Sequence, residues 1–534
     1  MSRLESLFAR LGVALATLAA VLALTACGPQ SGSDGPAAQS GDTLRILAGS
    51  EVQDLAPLKE DMARAAGMQV EFSYTGSLDA VEALESGEEY DAVWLSHGKY
   101  LQQTESLKPR IKASERIMTS PVILGVKRSK ADALGWTKNE PTWGDVATAA
   151  ATGKLDYAMT SPSSSNTGFT ALVGVASALA GTGDALDIQS IQTDKLAALF
   201  KGQKFIAGSS GWLADAYVQR QGELDGLVNY ESVILQLNAG GKLQEPLVPV
   251  YPKEGIVTAD YPLMLLNDTK RDAYTRLVAY LRKPETQGFI TRNTLRRPIT
   301  AGVERAASIP DRVLIELPFP ASRTVMDALL EAYQAQLRRP ASTYFVLDVS
   351  GSMKGQGIEQ LQGAIAGMAG DDTSLTGRFA RFQLREQVLL LPFSDRVFPP
   401  LVVTMPENAA DVQATLERIR RFNQSLSPDG GTAIFTAVQH AYARALSDKG
   451  RDAGRQYGIV LMTDGENTAG MGREEFLRWY AGLPSAQKSI PVFVVLFGDA
   501  DADELKAIAD ATGGRVFDGR KSLRTAFKQI RGYL

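Results

Sequence analysis

Five oxygen-bearing side chains in the C-terminal third have the types and spacing of a site for a hard metal ion. They are Asp348, Ser350, Ser352, Thr432 and Asp464. The first three form an Asp-x-Ser-x-Ser loop, and all five offer only oxygen. Mg²⁺ prefers octahedral oxygen at ~2.1 Å and keeps some of its waters. The pattern therefore predicts Mg²⁺, or another divalent cation such as Mn²⁺ or Ca²⁺. The alternative is a set of Asp-Gly-type turns at strand ends that hold no metal.

The elements around these residues predict how they come together. From Thr343 onward the strand candidates are Tyr344–Val349, Gln387–Pro392, Gly458–Thr463, Val492–Phe497 and Arg515–Phe517. Helices are predicted between them, near 355–368, 411–421, 432–446, 473–482, 502–512 and 521–532. This βαβ order predicts a doubly wound α/β sheet, and such sheets bind ligands beyond the carboxyl ends of their strands. The five polar residues follow strand ends or precede a helix.

A second group of polar residues lies at predicted helix starts in the N-terminal half. Ser50 and Ser77 each follow a strand candidate, and the run 163–167 reads Ser-Ser-Ser-Asn-Thr. Ser50 and Gln53 also have capping-box spacing. Helix N-termini expose free N–H groups and the positive end of the dipole, so several together attract an anion. The alternative is that these serines only cap helices, because serine is a preferred N-cap residue.

The N-terminal half alternates short apolar strands with amphipathic helices. The strand candidates are Leu44–Ala48, Val70–Tyr74, Asp91–Leu95 and Val122–Val126, and a helix is predicted over Leu78–Leu84. This rhythm predicts a parallel sheet wrapped by helices.

Several segments of this half resemble type II periplasmic solute-binding proteins, especially the extracellular branch that includes molybdate-binding relatives. They are AGSEVQDLAP, YTGSLDAVEALESGEEYDAVWL, SPVILGVKRS, TWGDVA, YAMTSPSSSNTGFTAL, VNYES and VYPKEGIVTADYPLMLL. The resemblance implies a two-lobed α/β domain over residues 43–304, with a ligand cleft between the lobes and hinge closure on the ligand.

The same resemblance implies which residues bind a ligand. Those matched to the family's ligand-binding positions are Ser50, Ser77, Ser164, Ser165, Asn166 and Thr167, with Tyr230 and Glu231 where the second lobe returns to the hinge. The ligand implied is small and anionic. Glu231 would repel an oxyanion if it faced the cleft, so a zwitterion, a sugar or the peptide terminus of a partner stay open.

The C-terminal residues 342–534 resemble von Willebrand factor A and integrin I domains, with a complete metal-ion-dependent adhesion site. By that resemblance Ser350, Ser352 and Thr432 bind the ion directly, whereas Asp348 and Asp464 act mainly through water. Because hydroxyls replace direct carboxylates, the ion stays electron-poor. Its open position then favours an acidic side chain from a protein partner.

Residues 305–341 are predicted to be a helical connector. An apolar piece, Arg312–Leu317, precedes Val325, Leu329 and Tyr333, which are spaced for one face of a helix. Pro340 is a natural stop near the domain boundary.

The first 42 residues have the pattern of a lipoprotein leader. Arg3 and Arg10 precede the apolar run Leu11–Ala23. The run is followed by Leu-Thr-Ala-Cys at residues 24–27, a sequence that resembles a bacterial lipobox. We therefore predict a signal peptide over 1–26, lipidation of Cys27, and a flexible tether rich in Gly, Ser and Pro up to residue 42. The mature protein would be anchored in the cell envelope. Glycine rather than aspartate after the cysteine favours the periplasmic side of the outer membrane.

Composition excludes several function classes. With 534 residues the chain is too long for one core. Lys+Arg 56 against Asp+Glu 60 leaves no basic excess for nucleic acid. The single cysteine excludes an intramolecular disulfide. The two histidines, His97 and His440, lie in no recognisable catalytic motif, and no phosphate-binding loop is evident.

These features predict a membrane-anchored binding protein without catalysis. Its metal site would dock a protein partner, and its N-terminal domain would bind a small ligand or serve as a docking module. Two alternatives remain: the substrate-binding component of an ABC importer with an accessory A domain, and a metal-dependent hydrolase using a carboxylate such as Glu466. A role like that of an ATPase-linked chelatase subunit conflicts with the extracytoplasmic address.

Overall fold

The computed structural model describes residues 43–181, 185–320, 322–498, 502–520 and 522–534. The predicted signal peptide, Cys27 and tether lie outside the described residues. From Thr43 onward the chain belongs to one compact unit. No helix in the described ranges is long and apolar enough to cross a membrane.

Two mixed sheets form the two lobes of the N-terminal module. Its strands are β1 Thr43–Gly49, β2 Gln69–Thr75, β3 Ala92–Trp94, β4 Ala113–Arg116, β5 Met118–Lys127, β6 Tyr157–Thr160, β7 Gln203–Ala207, β8 Gly226–Tyr230, β9 Leu247–Val250, β10 Thr258–Ala259, β11 Pro262–Leu265 and β12 Arg297–Pro298. Lobe 1 contains the sheet β2-β1-β3-β11-β4, and lobe 2 the sheet β10-β5-β8-β6-β7 with β9 and β12 added on β5. The expected purely parallel sheet is wrong. The chain returns from lobe 2 through β11, which runs antiparallel to β3 and β4, and β5 runs antiparallel to β8.

The helices of this module pack on both sheets. They are α1 Lys59–Ala66, α2 Ser77–Glu85, α3 Lys99–Gln102, α4 Arg128–Ala133, α5 Trp143–Ala151, α6 Asn166–Ala180, α7 Thr193–Phe200, α8 Ser210–Arg220, α9 Glu231–Ala239, α10 Arg271–Leu281 and α11 Pro284–Thr294, with 3₁₀ turns at Ser50–Leu58, Lys108–Arg110 and Asp268–Lys270. Helix α6 is apolar on nearly every side and therefore buried along almost its whole length. It packs on β5, β6 and β8.

The connector forms a helix packed on this module. Helix α12 covers Arg323–Ala332 and continues as a π-helical turn over Tyr333–Leu337. Its apolar face is buried in the core of the N-terminal module. The segment 312–317 forms no regular strand; one bridge joins Glu316 to Ile256, and Val313 is 89% exposed.

The C-terminal module is the doubly wound sheet that the βαβ order predicts. Its strands are β13 Ala341–Asp348, β14 Gln387–Phe393, β15 Leu401–Thr404, β16 Gln456–Thr463, β17 Val492–Leu496 and β18 Val516–Asp518, in the order β15-β14-β13-β16-β17-β18. All pair in parallel except β15. Alternate residues of β13 enter two different cores: Phe345 faces one side of the sheet and Tyr344 the other. The edge strand β15 was not predicted.

Helices cover both faces of this sheet. They are α13 Gln356–Ala366, α14 Leu375–Ala380, α15 Val412–Gln424, α16 Ile434–Arg451, α17 Arg473–Ala481, α18 Ala502–Thr512 and α19 Leu523–Arg531, with 3₁₀ turns at Gly351–Met353, Ala409–Asp411 and Ser485–Gln487 and a π-helical turn at Gly367–Asp371. The short helix α14 was not predicted. Its Leu375 and Phe379 belong to the same buried cluster as the N-terminal module. The two modules therefore share a continuous apolar contact.

Candidate functional site

A cavity of about 700 Å³ lies between the two lobes and the C-terminal module. Five of the residues predicted to bind a ligand line it, namely Ser50, Ser164, Ser165, Asn166 and Tyr230. Ser77 and Thr167 are buried and do not line it. The hydroxyl of Ser77 nevertheless donates a hydrogen bond to the side-chain oxygen of Asn166, so lobe 1 and lobe 2 are joined at this point.

Glu231 lies outside the cavity, although it follows Tyr230 directly. Its side chain is fully buried and forms an ion pair with Arg297, with Oε2 2.7 Å from Nε and Oε1 2.8 Å from Nη2. The hydroxyl of Tyr251 also donates to it. Glu231 therefore contributes no negative charge to the cleft and does not repel an oxyanion there.

Several helices begin at the cavity. Helix α2 begins at Ser77, α6 at Asn166 and α8 at Ser210, and a 3₁₀ turn begins at Ser50. The serine side chains make no capping hydrogen bond at any of these starts. The capping box expected at Ser50 is therefore wrong: Gly49 precedes a 3₁₀ turn that contains Pro57. The partial positive charge of the helix starts is directed toward the cleft.

Glu51 bridges the two lobes, and the sequence reasoning missed it. Its Oε1 accepts hydrogen bonds from Asn166 Nδ2 at 3.0 Å and from Ser96 Oγ at 3.3 Å. The hydroxyl of Tyr230 lies 2.9 Å from the same oxygen and 2.8 Å from Ser96 Oγ. Burial, together with the charge of Glu51, raises the pKa of Tyr230 well above its ordinary value, so the phenol remains a donor. An acidic residue directly after a serine at a helix start was the available signal.

Arg296 fixes the segment that carries Glu51. Its guanidinium binds both carboxylate oxygens of Asp54, at 2.8 and 2.7 Å, and donates to the Glu51 carbonyl at 2.7 Å. Arg296 itself is buried. The 3₁₀ turn is therefore anchored from the returning chain rather than by its own capping.

The second candidate site lies at the carboxyl end of the C-terminal sheet. Ser350 Oγ lies 3.0 Å from Ser352 Oγ, which donates to Asp464 Oδ1 at 2.8 Å. Asp348 is fully buried beneath this loop. It accepts from the Ser350 amide at 2.8 Å and from the Thr463 hydroxyl at 2.5 Å. Burial raises the pKa of Asp348 to about 6, although those hydrogen bonds lower it.

Thr432 reaches the same edge of the sheet. The amide of Gly351 donates to the carbonyl of Gly430 at 2.9 Å, which joins the two loops. Gly465 separates the hydroxyls: a Cβ atom there would lie 3.3 Å from Ser352 Oγ and 3.7 Å from Thr432 Oγ1. The structure thus brings all five residues of the predicted metal site together.

The donor set suits an oxygen-loving cation. No group of three or more His, Cys, Asp or Glu side chains is placed to hold a metal anywhere in the described part of the chain. A cation at this edge would therefore take serine and threonine hydroxyls, with Asp348 and Asp464 behind or beside them. Such a mixture of neutral and charged oxygens fits Mg²⁺ or Mn²⁺.

Family models match both modules. Residues 44–296 match the bacterial extracellular solute-binding protein family, and residues 343–530 match the von Willebrand factor type A domain. The chain carries a solute-binding domain followed by an A domain. The resemblances of these two domains to the solute-binding protein family and to the von Willebrand factor A domain are thereby confirmed. The first match also indicates an extracytoplasmic location.

Individual proteins show more distant likeness. An uncharacterized protein of Synechocystis sp. is 28% identical over 180 residues, which is 34% of this chain and 37% of that protein. The chain thus covers little more than a third of that relative's length.

Solved structures of periplasmic binding proteins align with about half of this chain. The protein AfuA of Actinobacillus pleuropneumoniae, with fructose-6-phosphate bound, has a TM-score of 0.44 at 16% identity and covers 56% of this chain and 99% of its own. The ferric binding protein of Campylobacter jejuni has a TM-score of 0.43 at 15% identity, and the alignment covers 54% of this chain and 96% of that protein. The sulfate-binding protein SubI of Mycobacterium tuberculosis has a TM-score of 0.40 at 20% identity, and the alignment covers 53% of this chain and 96% of that protein. Because these scores are low, the fold assignment depends on the family models and the sheet order.

Helix α19 of the A domain covers the mouth of the solute-binding cleft. Its Lys528 Nζ lies 2.8 Å from Glu82 Oε1 of lobe 1 and 3.2 Å from Asp372 Oδ2 of its own domain. Beyond the helix, Gly532 approaches Ser164 so closely that a Cβ would lie 2.3 Å from the serine hydroxyl. A Cβ on Gly208 of lobe 2 would likewise clash with the ring of Tyr533. The A domain therefore contacts both lobes at the cavity.

Asp79, at the start of α2, provides a test of whether the A domain buries this part of the cleft. It lines the cavity, and burial together with the nearby charge of Glu82 raises its pKa to about 6, although Lys528 lowers it. A raised carboxyl pKa means that ionised Asp79 destabilises the folded state, increasingly as the pH rises from about 4 to about 6. Asp79→Asn should therefore raise stability at pH 8 by about 1–2 kcal/mol, allowing for solvent screening.

Urea unfolding at pH 4.5 and pH 8 would measure this effect. The gain should be full at pH 8 and only about a third as large at pH 4.5, because the destabilisation by ionised Asp79 is still developing between about pH 4 and about pH 6. The exposed Glu71 on β2 supplies the control, since Glu71→Gln should change neither value. An equal gain from Asp79→Asn at both pH values would contradict a raised pKa of Asp79.

Proposed function

We propose that this protein is an extracytoplasmic binding protein without catalytic activity, whose A domain holds a divalent cation and docks a protein partner through it. The main support is the convergence of Ser350 Oγ, Ser352 Oγ and Asp464 Oδ1, joined by contacts of 3.0 and 2.8 Å at a strand end. Their shared direction is what a cation site requires.

The chain's own residues divide the work of such a site. Ser350, Ser352 and Thr432 would hold the ion directly through hydroxyl oxygens, which add no charge. Asp348 would supply negative charge from below, and it holds the loop in place through the Ser350 amide. Asp464 would orient Ser352 and bound water. When bound, the cation supplies an electron-poor centre that attracts a carboxylate from outside the chain.

We also propose that the chain is anchored by lipid. Removal of the signal peptide at residue 26, lipidation of Cys27 and the tether 27–42 would place the folded part on the periplasmic side of the outer membrane. The indicated extracytoplasmic location supports this arrangement. Metabolic labelling with a radioactive fatty acid would test it, because Cys27→Ser should lose the label.

A small-molecule ligand of the solute-binding domain is the second candidate function. The 700 Å³ cavity between the lobes supports it. Among the similar solved structures, AfuA holds fructose-6-phosphate, and the other two are a ferric binding protein and a sulfate-binding protein. This role would suit either a docking module that senses a solute or the binding component of an importer. Thermal shifts across oxyanions, amino acids and sugars would test it, and no shift with any of them would eliminate it.

Paramagnetic Mn²⁺ tests the main proposal directly. We expect the protein to bind one equivalent of Mn²⁺, seen as loss of the free-ion resonance, with Mg²⁺ competing and EDTA restoring the signal. The loaded protein should then bind an acetylated Gly-Asp-Gly amide with a Kd of about 1 mM, or roughly −4 kcal/mol. The matched Gly-Asn-Gly peptide serves as the control. No Mn²⁺ binding, or equal binding of both peptides, would refute the proposal.

A further inference from the structure

The carboxylate of Glu51 lies where the ligand-binding groups of both lobes meet. Asn166 and Tyr230 approach it from lobe 2, and Ser96 approaches it from lobe 1. An anion in a cleft between two lobes would be bound by the same kinds of donor. Here the anion belongs to the protein.

Three further serines around the cleft are also in contact with other parts of this chain. Ser77 donates to Asn166 instead of to a solute. The hydroxyl of Ser163 accepts a hydrogen bond from Gln334 of the connector at 2.6 Å. Ser164 lies against Gly532 of the A domain. Loop 163–166 is therefore contacted by lobe 1, the connector and the A domain together.

We propose that Glu51 is an internal ligand: its carboxylate occupies the anion position of the cleft and holds the two lobes closed. The solute-binding domain then acts as a fixed docking module rather than as a carrier of an anionic solute. This inference is independent of the metal site, and it excludes an anionic ligand at this position under the second candidate function.

Two physical effects favour the internal carboxylate over a free anion. Glu51 is covalently attached close to its donors, so its effective concentration far exceeds that of a dissolved ion. Displacing it would leave a carboxylate in a partly buried site without its hydrogen-bond donors, which is costly. Its second oxygen, Oε2, is already buried without a hydrogen-bond partner among the described residues. Dissolved formate, acetate, sulfate or phosphate should therefore not bind at this position in the wild-type protein.

Chemical rescue tests the proposal. Glu51→Ala removes the carboxylate and leaves space, so the first thermal unfolding midpoint should fall by about 4–8 °C. Formate or acetate at about 100 mM should restore at least half of that loss by filling the vacated position, by the linkage of ligand binding to stability. The wild type and Glu60→Ala, which removes an exposed acid in the same lobe, should shift by less than about 1 °C with either salt. Chloride at equal ionic strength controls for salt effects.

A double-mutant cycle covers the case in which Glu51→Ala does not fold. Glu51→Gln keeps the shape, and Tyr230→Phe removes one donor. The combined change should cost clearly less than the sum of the single changes, because both remove the same contact. Additive costs would overturn the proposal, as would anion binding by the wild type equal to that of Glu51→Ala.

Mn²⁺ binding separates this inference from the proposed function. Glu51→Ala should bind Mn²⁺ as the wild type does. Failed rescue with intact Mn²⁺ binding would overturn the internal ligand alone. Rescue without Mn²⁺ binding in any variant would overturn the metal-dependent docking alone.

Discussion

Replacing Asp348 with alanine is expected to lower the affinity for Mg²⁺ or Mn²⁺ by about 10–100-fold, the usual cost of losing a group that orients metal ligands. Asp348 is buried and makes two bonds that shape the site, to the Ser350 amide and to the Thr463 hydroxyl. Its removal therefore loosens the serine loop and deletes a negative charge beneath the ion. Binding of the Gly-Asp-Gly peptide should be lost with it.

Two variants make this result interpretable. Asp348→Asn keeps the size and part of the hydrogen bonding, so it separates the loss of charge from the loss of shape. Glu466→Ala removes an exposed carboxylate two residues beyond Asp464 and should bind metal normally. Isothermal titration calorimetry measures the Mn²⁺ affinity of Asp348→Ala, Asp348→Asn and Glu466→Ala. Unchanged affinity in Asp348→Ala would show that the five residues form only hydrogen-bonded turns.

The proximity of these residues could be predicted from the sequence, because parallel strands place their carboxyl ends at one edge. Ser350 follows β13 and Asp464 follows β16, which are neighbours in the sheet. Periodicity also gave the strands β13, β14, β16 and β17 nearly in full. Strand β15 was missed because it follows Pro399 and Pro400 and runs antiparallel at the edge, outside the βαβ rhythm.

The interior of the cleft was harder to predict. The serines at helix starts indicated an anion site, but their spacing did not predict that the Glu51 side chain would point into that site. That orientation depends on Arg296, more than 200 residues away along the chain. The contact of Lys528 with Glu82 spans an even longer separation. Contacts of this kind depend on how finished domains pack, which local patterns do not encode.

Helix α19 belongs both to the core of the A domain and to the lining of the cleft. Phe527 and Ile530 are buried in the core of the A domain, whereas Lys528 and Gln529 line the cavity. Any force that loosens the helix from the A domain therefore also uncovers the cleft. The strength with which α19 is held in the A domain therefore decides whether the cleft of the solute-binding domain stays covered.

A buried ion pair anchors α19, and we expect breaking it to have the largest effect on stability. Arg531 binds Glu386 through two contacts of 2.5 and 2.6 Å, and both side chains are almost fully buried. Burial alone would raise the pKa of Glu386, but Arg531 outweighs it and holds that pKa below its ordinary value. In the wild type this stabilisation is complete above the ordinary carboxyl pKa and is lost as the pH falls through the folded value.

Arg531→Met should destabilise the A domain by about 3–5 kcal/mol at pH 8, because it leaves a buried carboxylate without its main partner. The deficit should shrink toward pH 5, where Glu386 can be protonated. Arg531→Met with Glu386→Leu should recover most of the loss, since apolar residues can replace a buried pair. Urea unfolding measures these differences, and hydrogen exchange over 523–534 should rise in the single variant alone. A loss below about 1 kcal/mol, typical of an exposed pair, would mean that apolar packing of Phe527 and Ile530 holds the helix, and that the cleft keeps its cover without the ion pair.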